Sequence, residues 1–315
     1  MCRRDACPER DRGAPVKVIT DKQWADLLHT RANNPQAVHK LYTTRARRAS
    51  LLTDQGTMFL VAADHTARGA MGVPGDPNAM VNRRSLLERL LIALENPAVD
   101  GVLGTPDIVE ELLLLGALQH KIVIGSMNRG GLAGADWEID DRFTAYTASA
   151  IAELGLDGGK MLLRIVDNDA GTVPTLQACA DAVTELASRN LMAMVEPLPY
   201  RRIHGKLQLL KDGPSLARAT TVASSLGETS AYTWLKLPAP EDPDFVLDAT
   251  TLPTVVLGGI PGPSVEEDIA SWGRSLRHPV VRGLVVGRAL LYPPDGDVAG
   301  AVEAAAKVLH EGVKA

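Results

Sequence analysis

Eight short apolar runs alternating with helix-period segments predict an α/β chain closed into a (β/α)8 (TIM) barrel, with an N-terminal helical extension. Two further observations point the same way. Only 4% of the 315 residues are aromatic, so the core must be largely aliphatic, as suits parallel strands covered by helices. The runs also follow one another without a linker-like composition, and barrels commonly extend to ~250 residues as one unit. An open doubly wound sheet is the rival, but no Gly-x-Gly-x-x-Gly fingerprint follows the first run.

Residues 1–16 are charged and polar and are expected to form a disordered tail. Residues 17–54 form the extension, helical from Asp21 through Leu52 and rich in arginine and alanine. Its Arg45–Arg48 cluster is expected to cap the barrel or build an interface. Residues 55–315 form the barrel. Its strands are expected at 58–63, 101–104, 121–125, 161–166, 191–195, 232–237, 254–257 and 283–286. Each is short and nearly continuous in hydrophobicity, as expected of strands buried on both faces. Helical spacing recurs at 84–94, 107–118, 145–154, 175–189, 215–226, 265–276 and 298–311.

Several functional classes are disfavoured. A net charge of −5 without a long basic run argues against a nucleic-acid protein. The longest apolar stretch, Ile108 to Leu118, is broken by Glu110 and Glu111, so no membrane span is expected. Cys2, Cys7 and Cys179 make no disulfide framework, and the N-terminus lacks the apolar stretch of a signal peptide; a cytoplasmic location is expected. Cys2 with Cys7, or Asp64 with His65, would be half of a metal site, but neither has further ligands at suitable spacing. The expectation is no metal and no cofactor.

In such a barrel, polar residues just after the strands gather at one mouth, where active sites form. The first run ends in Asp64-His65-Thr66-Ala67-Arg68 and the third in Ser126-Met127-Asn128-Arg129. The fourth carries Lys160 and Arg164, which share a parity; the fifth ends in Val195-Glu196, and the sixth holds Lys236. Lys236 sits in Tyr232-Thr233-Trp234-Leu235-Lys236-Leu237-Pro238, an apolar setting. There a poorly hydrated ammonium would shed its proton more easily and leave a nucleophilic amine. The competing reading is a strand lysine whose head reaches water. Gly258 and Gly259 after the seventh run, and Gly287-Arg288 after the eighth, occupy the usual phosphate position of barrels. Their alternative is a tight turn with a solvated arginine. Lys160 and Glu196 have an alternative as a structural ion pair. His204 lies in the basic run Arg201–Lys206, which is expected to be a solvated loop, with contact to a second phosphate or an acidic substrate as the alternative.

The order Asp64, Lys160, Glu196, Lys236, Gly258-Gly259 and Val286-Gly287-Arg288-Ala289 resembles the class I (Schiff-base) aldolases of the DeoC/LacD/FbaB type, above all tagatose-bisphosphate aldolase. Gly158 to Leu163 is similar to that family's fourth strand, Val195-Glu196 to its fifth, Trp234-Leu235-Lys236 to its Schiff-base segment, and Gly283 to Ala289 to its phosphate loop. The loop after Asp64 is longer than the family's Asp-Gln-Arg-Gly. The seventh run lacks the lysine of deoxyribose-phosphate aldolase. The overall look also resembles an actinobacterial aldolase-like branch associated with inositol breakdown.

The resemblance implies Lys236 as Schiff-base nucleophile, Glu196 as proton shuttle, Lys160 as a second cation, and Asp64 as an aid to lysine orientation or proton transfer. It implies Arg288, Gly287, Gly258, Gly259, Arg68 and Arg164 as substrate or phosphate contacts. The substrate would be a phosphorylated keto-sugar or keto-sugar acid, such as a 2-deoxy-5-keto-gluconate 6-phosphate or a ketose bisphosphate, and the enzyme a homo-oligomer. Two alternatives remain open on the same barrel: a phosphosugar isomerase or epimerase, and a non-catalytic sugar-phosphate-binding barrel.

Overall fold

The computed structural model describes residues 19–313, so the predicted tail and residues 17–18 lie outside the described residues. The chain folds as α1 (Asp21–Asn33), α2 (Gln36–Thr44), β1 (Met58–Ala62), α3 (Arg83–Glu95), β2 (Gly101–Gly104), α4 (Pro106–Leu114) and β3 (Ile122–Ser126). There follow α5 (Ala148–Glu153), β4 (Gly158–Ile165), α6 (Thr172–Ser188), β5 (Met192–Ile203), β6 (Lys206–Leu209), α7 (Gly213–Ser224) and β7 (Thr233–Pro238). The last elements are α8 (Pro243–Leu247), β8 (Thr254–Leu257), α9 (Val265–Leu276), β9 (Val281–Val286), α10 (Arg288–Leu291) and α11 (Val298–Gly312).

Eight strands are parallel and close on themselves: β1 pairs with both β2 and β9, and β4 with both β3 and β5. The expected barrel is therefore present. Closure puts alternate residues on opposite sides of the sheet wall. Met58, Leu60 and Ala62 of β1 join Ile122, Ile124, Met192, Met194, Val255 and Val285 in the barrel interior. Phe59 and Val61 face outward onto the helical layer, where Leu86, Leu90 and Val286 also lie. Small aliphatic and methionine side chains fill the lower interior, which accounts for the scarcity of aromatics.

Two segments differ from the sequence expectation. The preamble is helical only to Thr44; residues 45–48 run beneath the barrel as an arginine strip. The guanidinium of Arg45 donates to the carbonyls of Lys121 (2.5 Å) and Gly155 (2.9 Å) and pairs with Asp157 at 3.3 Å. Arg47 reaches the same carboxylate at 3.0 Å, and Arg48 pairs with Asp100. Each aspartate also accepts from a strand N–H, Val123 for Asp157 (2.8 Å) and Phe59 for Asp100 (2.7 Å). Strand backbone and extension thus share the same two carboxylates, so of the two expected roles the cluster takes the cap.

The second difference is β6. The basic run Arg201–Lys206 is a hairpin rather than a solvated loop: Tyr200 pairs with Leu209 and Ile203 with Lys206, antiparallel. His204 and Gly205 both have positive φ (49° and 78°), the backbone a tight two-residue hairpin turn requires. The hairpin leaves the barrel wall and rises over its carboxyl-end mouth.

The cap makes a testable contrast. Asp157→Ala strands the buried Arg45 charge and is expected to cost about 3–5 kcal/mol. Arg47→Ala removes a half-exposed partner and costs under about 1 kcal/mol. Urea unfolding midpoints of the two variants decide it, and equal losses would refute the cap.

Candidate active site

The inward stripe that is apolar at the bottom of the barrel becomes charged at the top. Along β5 it reads Met192, Met194, Glu196, Leu198, Tyr200; along β7, Trp234 then Lys236; along β1, Met58, Leu60, Ala62, then Asp64 just beyond the strand. Strand alternation alone aims these side chains at the axis. They meet there in a line. Lys236 Nζ donates to Glu196 Oε1 at 2.6 Å, Glu196 Oε2 pairs with Lys160, and Lys160 Nζ donates to Asp64 Oδ2 at 3.2 Å. Asp64 Oδ2 also accepts from Ser126 Oγ at 3.0 Å. Arg129 Nη2 lies 3.0 Å from it in a charge contact rather than an aligned hydrogen bond. All five charged side chains are buried.

Cations and carboxylates alternate through this line, and their ionisation follows. Burial would raise the Glu196 carboxyl, but Lys160 and Lys236 outweigh it and bring it down to about 2. Burial pushes Asp64 up as well, and Arg129 and Lys160 hold it well below the carboxylate range. Lys160 is brought down to about 8, by burial first and then by Arg129. At neutral pH the site holds two carboxylates and a lysine that titrates close to neutrality.

A cavity of about 660 Å³ opens over the line at the carboxyl ends of the strands. Every residue singled out from the sequence lines it: Asp64, Arg68, Lys160, Arg164, Glu196, Lys236, Gly258, Gly259, Gly287 and Arg288. Their availability differs. The Arg164 fork grips Asp141 with Nε and Nη2 at 2.8 Å each, while Nη1 reaches Glu138 at 3.2 Å and Nη2 the Gly131 carbonyl at 3.1 Å. It is spent on tying down the long segment between β3 and α5, the segment that carries Arg129. Lys160 is the second cation at the centre. Arg288 donates to the Gly72 carbonyl at 3.0 Å through Nη1, but among the described residues its buried Nε has no partner, and neither has the buried Nη1 of Arg68. Gly259 has φ +70°, and at Gly287 a Cβ would lie 2.5 Å from the Ala62 carbonyl oxygen. Glycine there permits close approach of β9 to β1.

Several site groups were not among the expected residues. Ser126 ends β3 and Arg129 follows it, and their place at a strand end was the available signal. Tyr200 shares the inward parity of Glu196, and Lys211 comes from beyond the hairpin; both line the cavity. Burial raises the Tyr200 phenol above its ordinary value. Among the described residues, no group of three or more His, Cys, Asp or Glu side chains is arranged to hold a metal ion.

The fold and the site define a (β/α)8-barrel protein with an internal lysine–carboxylate line beneath a cationic mouth. Residues 56–306 match the Cgl0159-like family, and the chain belongs to it. The crystal structure of Cgl0159 from Corynebacterium glutamicum (Brevibacterium flavum) is 47% identical, with a TM-score of 0.91, over 95% of this chain and all of that one. Two more distant structures share the fold. One is an archaeal fructose-1,6-bisphosphate aldolase with its catalytic lysine covalently bound to the carbinolamine intermediate (16% identity, TM-score 0.65, 87% of this chain and 99% of that). The other is a fructose-bisphosphate aldolase from Slackia heliotrinireducens (13% identity, TM-score 0.62, 96% and 91%). No curated protein matches the chain in sequence.

The Glu196 ionisation carries a pH signature. Its folded value of about 2 lies below the ordinary 4.5, so its contribution to stability is complete above pH 4.5 and is lost as pH falls toward 2. Glu196→Gln is expected to remove on the order of 3 kcal/mol at neutral pH and to flatten the acid limb. Urea midpoints at neutral pH and at pH 3 test this; an unchanged acid limb would contradict the ion pairing.

Proposed function

We propose that this protein is a class I aldolase that cleaves or forms a carbon–carbon bond of a phosphorylated keto-sugar or keto-sugar acid through a Schiff base on Lys236. One observation carries the reading. A buried lysine at the end of β7 donates at 2.6 Å to a carboxylate that a second lysine also holds, at the floor of a cavity rimmed by arginines. The arginine rim favours an anionic substrate. The structurally similar Schiff-base aldolases, in which a lysine on the same fold forms the carbinolamine, add support.

In this mechanism Glu196 takes a proton from the Lys236 ammonium, and the free amine adds to the substrate ketone. Glu196 then returns that proton to the carbinolamine oxygen, which leaves as water while the nitrogen lone pair forms the carbon–nitrogen double bond of an iminium, and Glu196 is ionised again. The iminium draws in the electron pair of the adjacent carbon–carbon bond as the neighbouring hydroxyl gives its proton to Glu196. One product leaves as an aldehyde. The remaining enamine is reprotonated at carbon, and water releases the second product and regenerates Lys236. Lys160, anchored by Asp64, stays beside Glu196 and limits how long that carboxylate keeps a proton. Arg288 and Arg68, with the backbone at Gly258, Gly259 and Gly287, would hold the anionic groups and spend that binding energy on positioning. Arg164 acts at one remove, by fixing the segment that carries Arg129.

Borohydride reduction followed by intact-protein mass spectrometry tests the reading, across a panel that includes fructose 1,6-bisphosphate, tagatose 1,6-bisphosphate and 2-deoxy-5-keto-gluconate 6-phosphate. The expected result is a ketone-mass adduct on Lys236 that is absent from Lys236→Ala. Turnover without an adduct would favour an isomerase, and binding without turnover a sensor. A second expectation concerns Lys160. If its charged form assists, the rate falls as pH rises through about 8, and Lys160→Met abolishes that limb. A limb that survives the substitution belongs to another group.

A further inference from the structure

His65 follows Asp64 at the carboxyl end of β1, and its main chain is fixed. The His65 carbonyl accepts from Arg68 and Ala70, each at 3.2 Å, closing the short turn Thr66–Arg68. Its ring lies against Gly287: a Cβ on residue 287 would sit 2.4 Å from the ring Cε1 and 3.3 Å from Nδ1. The imidazole therefore occupies the space that any larger residue at 287 would claim. It lines the same cavity as Lys236 and Arg288.

Among the described residues the ring makes no hydrogen bond. Nδ1 is buried without a partner, and among the described residues no hydrogen bond reaches Nε2. A histidine that serves only to pack normally ties one nitrogen to a carbonyl or a carboxylate, because leaving it unpaired costs about 1–3 kcal/mol. Asp64, the adjacent carboxylate, is engaged by Lys160, Ser126 and Arg129 instead. Two other buried nitrogens without partners, Arg288 Nε and Arg68 Nη1, belong to residues lining the same cavity. Burial first, and then Arg288 and Lys236, bring the imidazole down to about 3 against the opposing pull of Asp64, so it stays neutral at neutral pH. A neutral imidazole presents one N–H and one lone pair. In a cavity it shares with Arg288 and Lys236, the ligand atom that the imidazole N–H suits is an anionic oxygen.

We propose that His65 binds the substrate's phosphate, donating a hydrogen bond to a phosphoryl oxygen that Arg288 also holds. The ketone half of the test rests on the aldolase reading above; the anion half does not. Gly287 is then glycine because the ring must reach the wall at that point, as well as for the approach of β9 to β1.

The experiment compares the full-length protein with His65→Leu, which fills the space without a hydrogen bond, and with His65→Gln, which retains a donor. Titration calorimetry with dihydroxyacetone phosphate gives affinity, and borohydride trapping with dihydroxyacetone phosphate against dihydroxyacetone gives the preference for a phosphorylated ketone. Thermal unfolding confirms that each variant is folded. His65→Leu is expected to weaken binding of the phosphate ester by about tenfold or more, with His65→Gln recovering most of it. The trapping preference should fall in parallel. Wild-type affinity in His65→Leu overturns the proposal, and so does an equal loss in His65→Gln, which would mark a role of shape. If no adduct forms on Lys236 while the His65-dependent phosphate affinity remains, the aldolase reading fails and His65 stands. An adduct whose phosphate preference ignores His65 gives the reverse.

Discussion

Glu196 holds two ammonium groups on one carboxylate inside a closed barrel, and much of the upper barrel is arranged around that fact. A buried charge is tolerated when paired and becomes costly when its partner is removed. Lys236, Glu196, Lys160, Asp64 and Arg129 therefore behave as one unit, in which each member keeps its neighbour from being a stranded charge. The apolar layers below, from Met58 and Leu60 to Met192 and Met194, form the floor beneath the line. In that drier setting the charges act on one another more strongly than they would in water, which is why Glu196 ionises so far below its ordinary value, whereas burial itself is the first cause that lowers Lys160.

The two ends of the barrel use the same residue types for different ends. At the bottom, Asp100 and Asp157 join strand N–H groups to the Arg45–Arg48 strip, and the contacts add cohesion. At the top, carboxylates of similar burial face a cavity and pair with lysines instead of strand N–H groups. Arg164 marks the border. It shares the inward parity of Lys160, but four residues of strand carry it about 13 Å further along β4, beyond the central line and level with Asp141 and Glu138. Position along the strand, rather than residue type, separates the cation of the central line from the one that braces a loop.

Much of this was legible in the chain. Runs such as Met58–Ala63 and Thr254–Leu257 declared parallel strands, because a strand buried on both faces has no polar side to show. Glu196 and Lys236 stood out because they close their runs, and Lys160 because it shares a parity with Arg164 on the fourth run. Arg129 was harder to weigh. It lies three residues past β3, and only its contact with Asp64, 65 residues earlier in the chain, gives it a role. The Arg201–Lys206 segment read as a solvated loop because charge dominates its composition. Its hairpin exists through cross-strand pairing and two positive-φ turn residues. The helical preamble ended early for a related reason: Arg45 and Arg47 have carboxylate and carbonyl partners more than 70 residues away, which outweigh local helix propensity.

Sequence by itself determined the alternation of strands and helices, the aliphatic character of the core, and the residues whose parity turns them inward, since period and hydrophobicity are local properties. Tertiary structure alone decided which inward charges touch. Only barrel closure brings β1, β4, β5 and β7 around a common axis, so that Glu196 falls between Lys160 and Lys236 and Asp64 reaches across to Lys160. It also decided that His65 lies on Gly287 with its nitrogens unpaired. The reason is the same in each case: these contacts join residues from 36 to more than 200 positions apart, and their spacing depends on the register of a closed sheet, which no local stretch of sequence encodes.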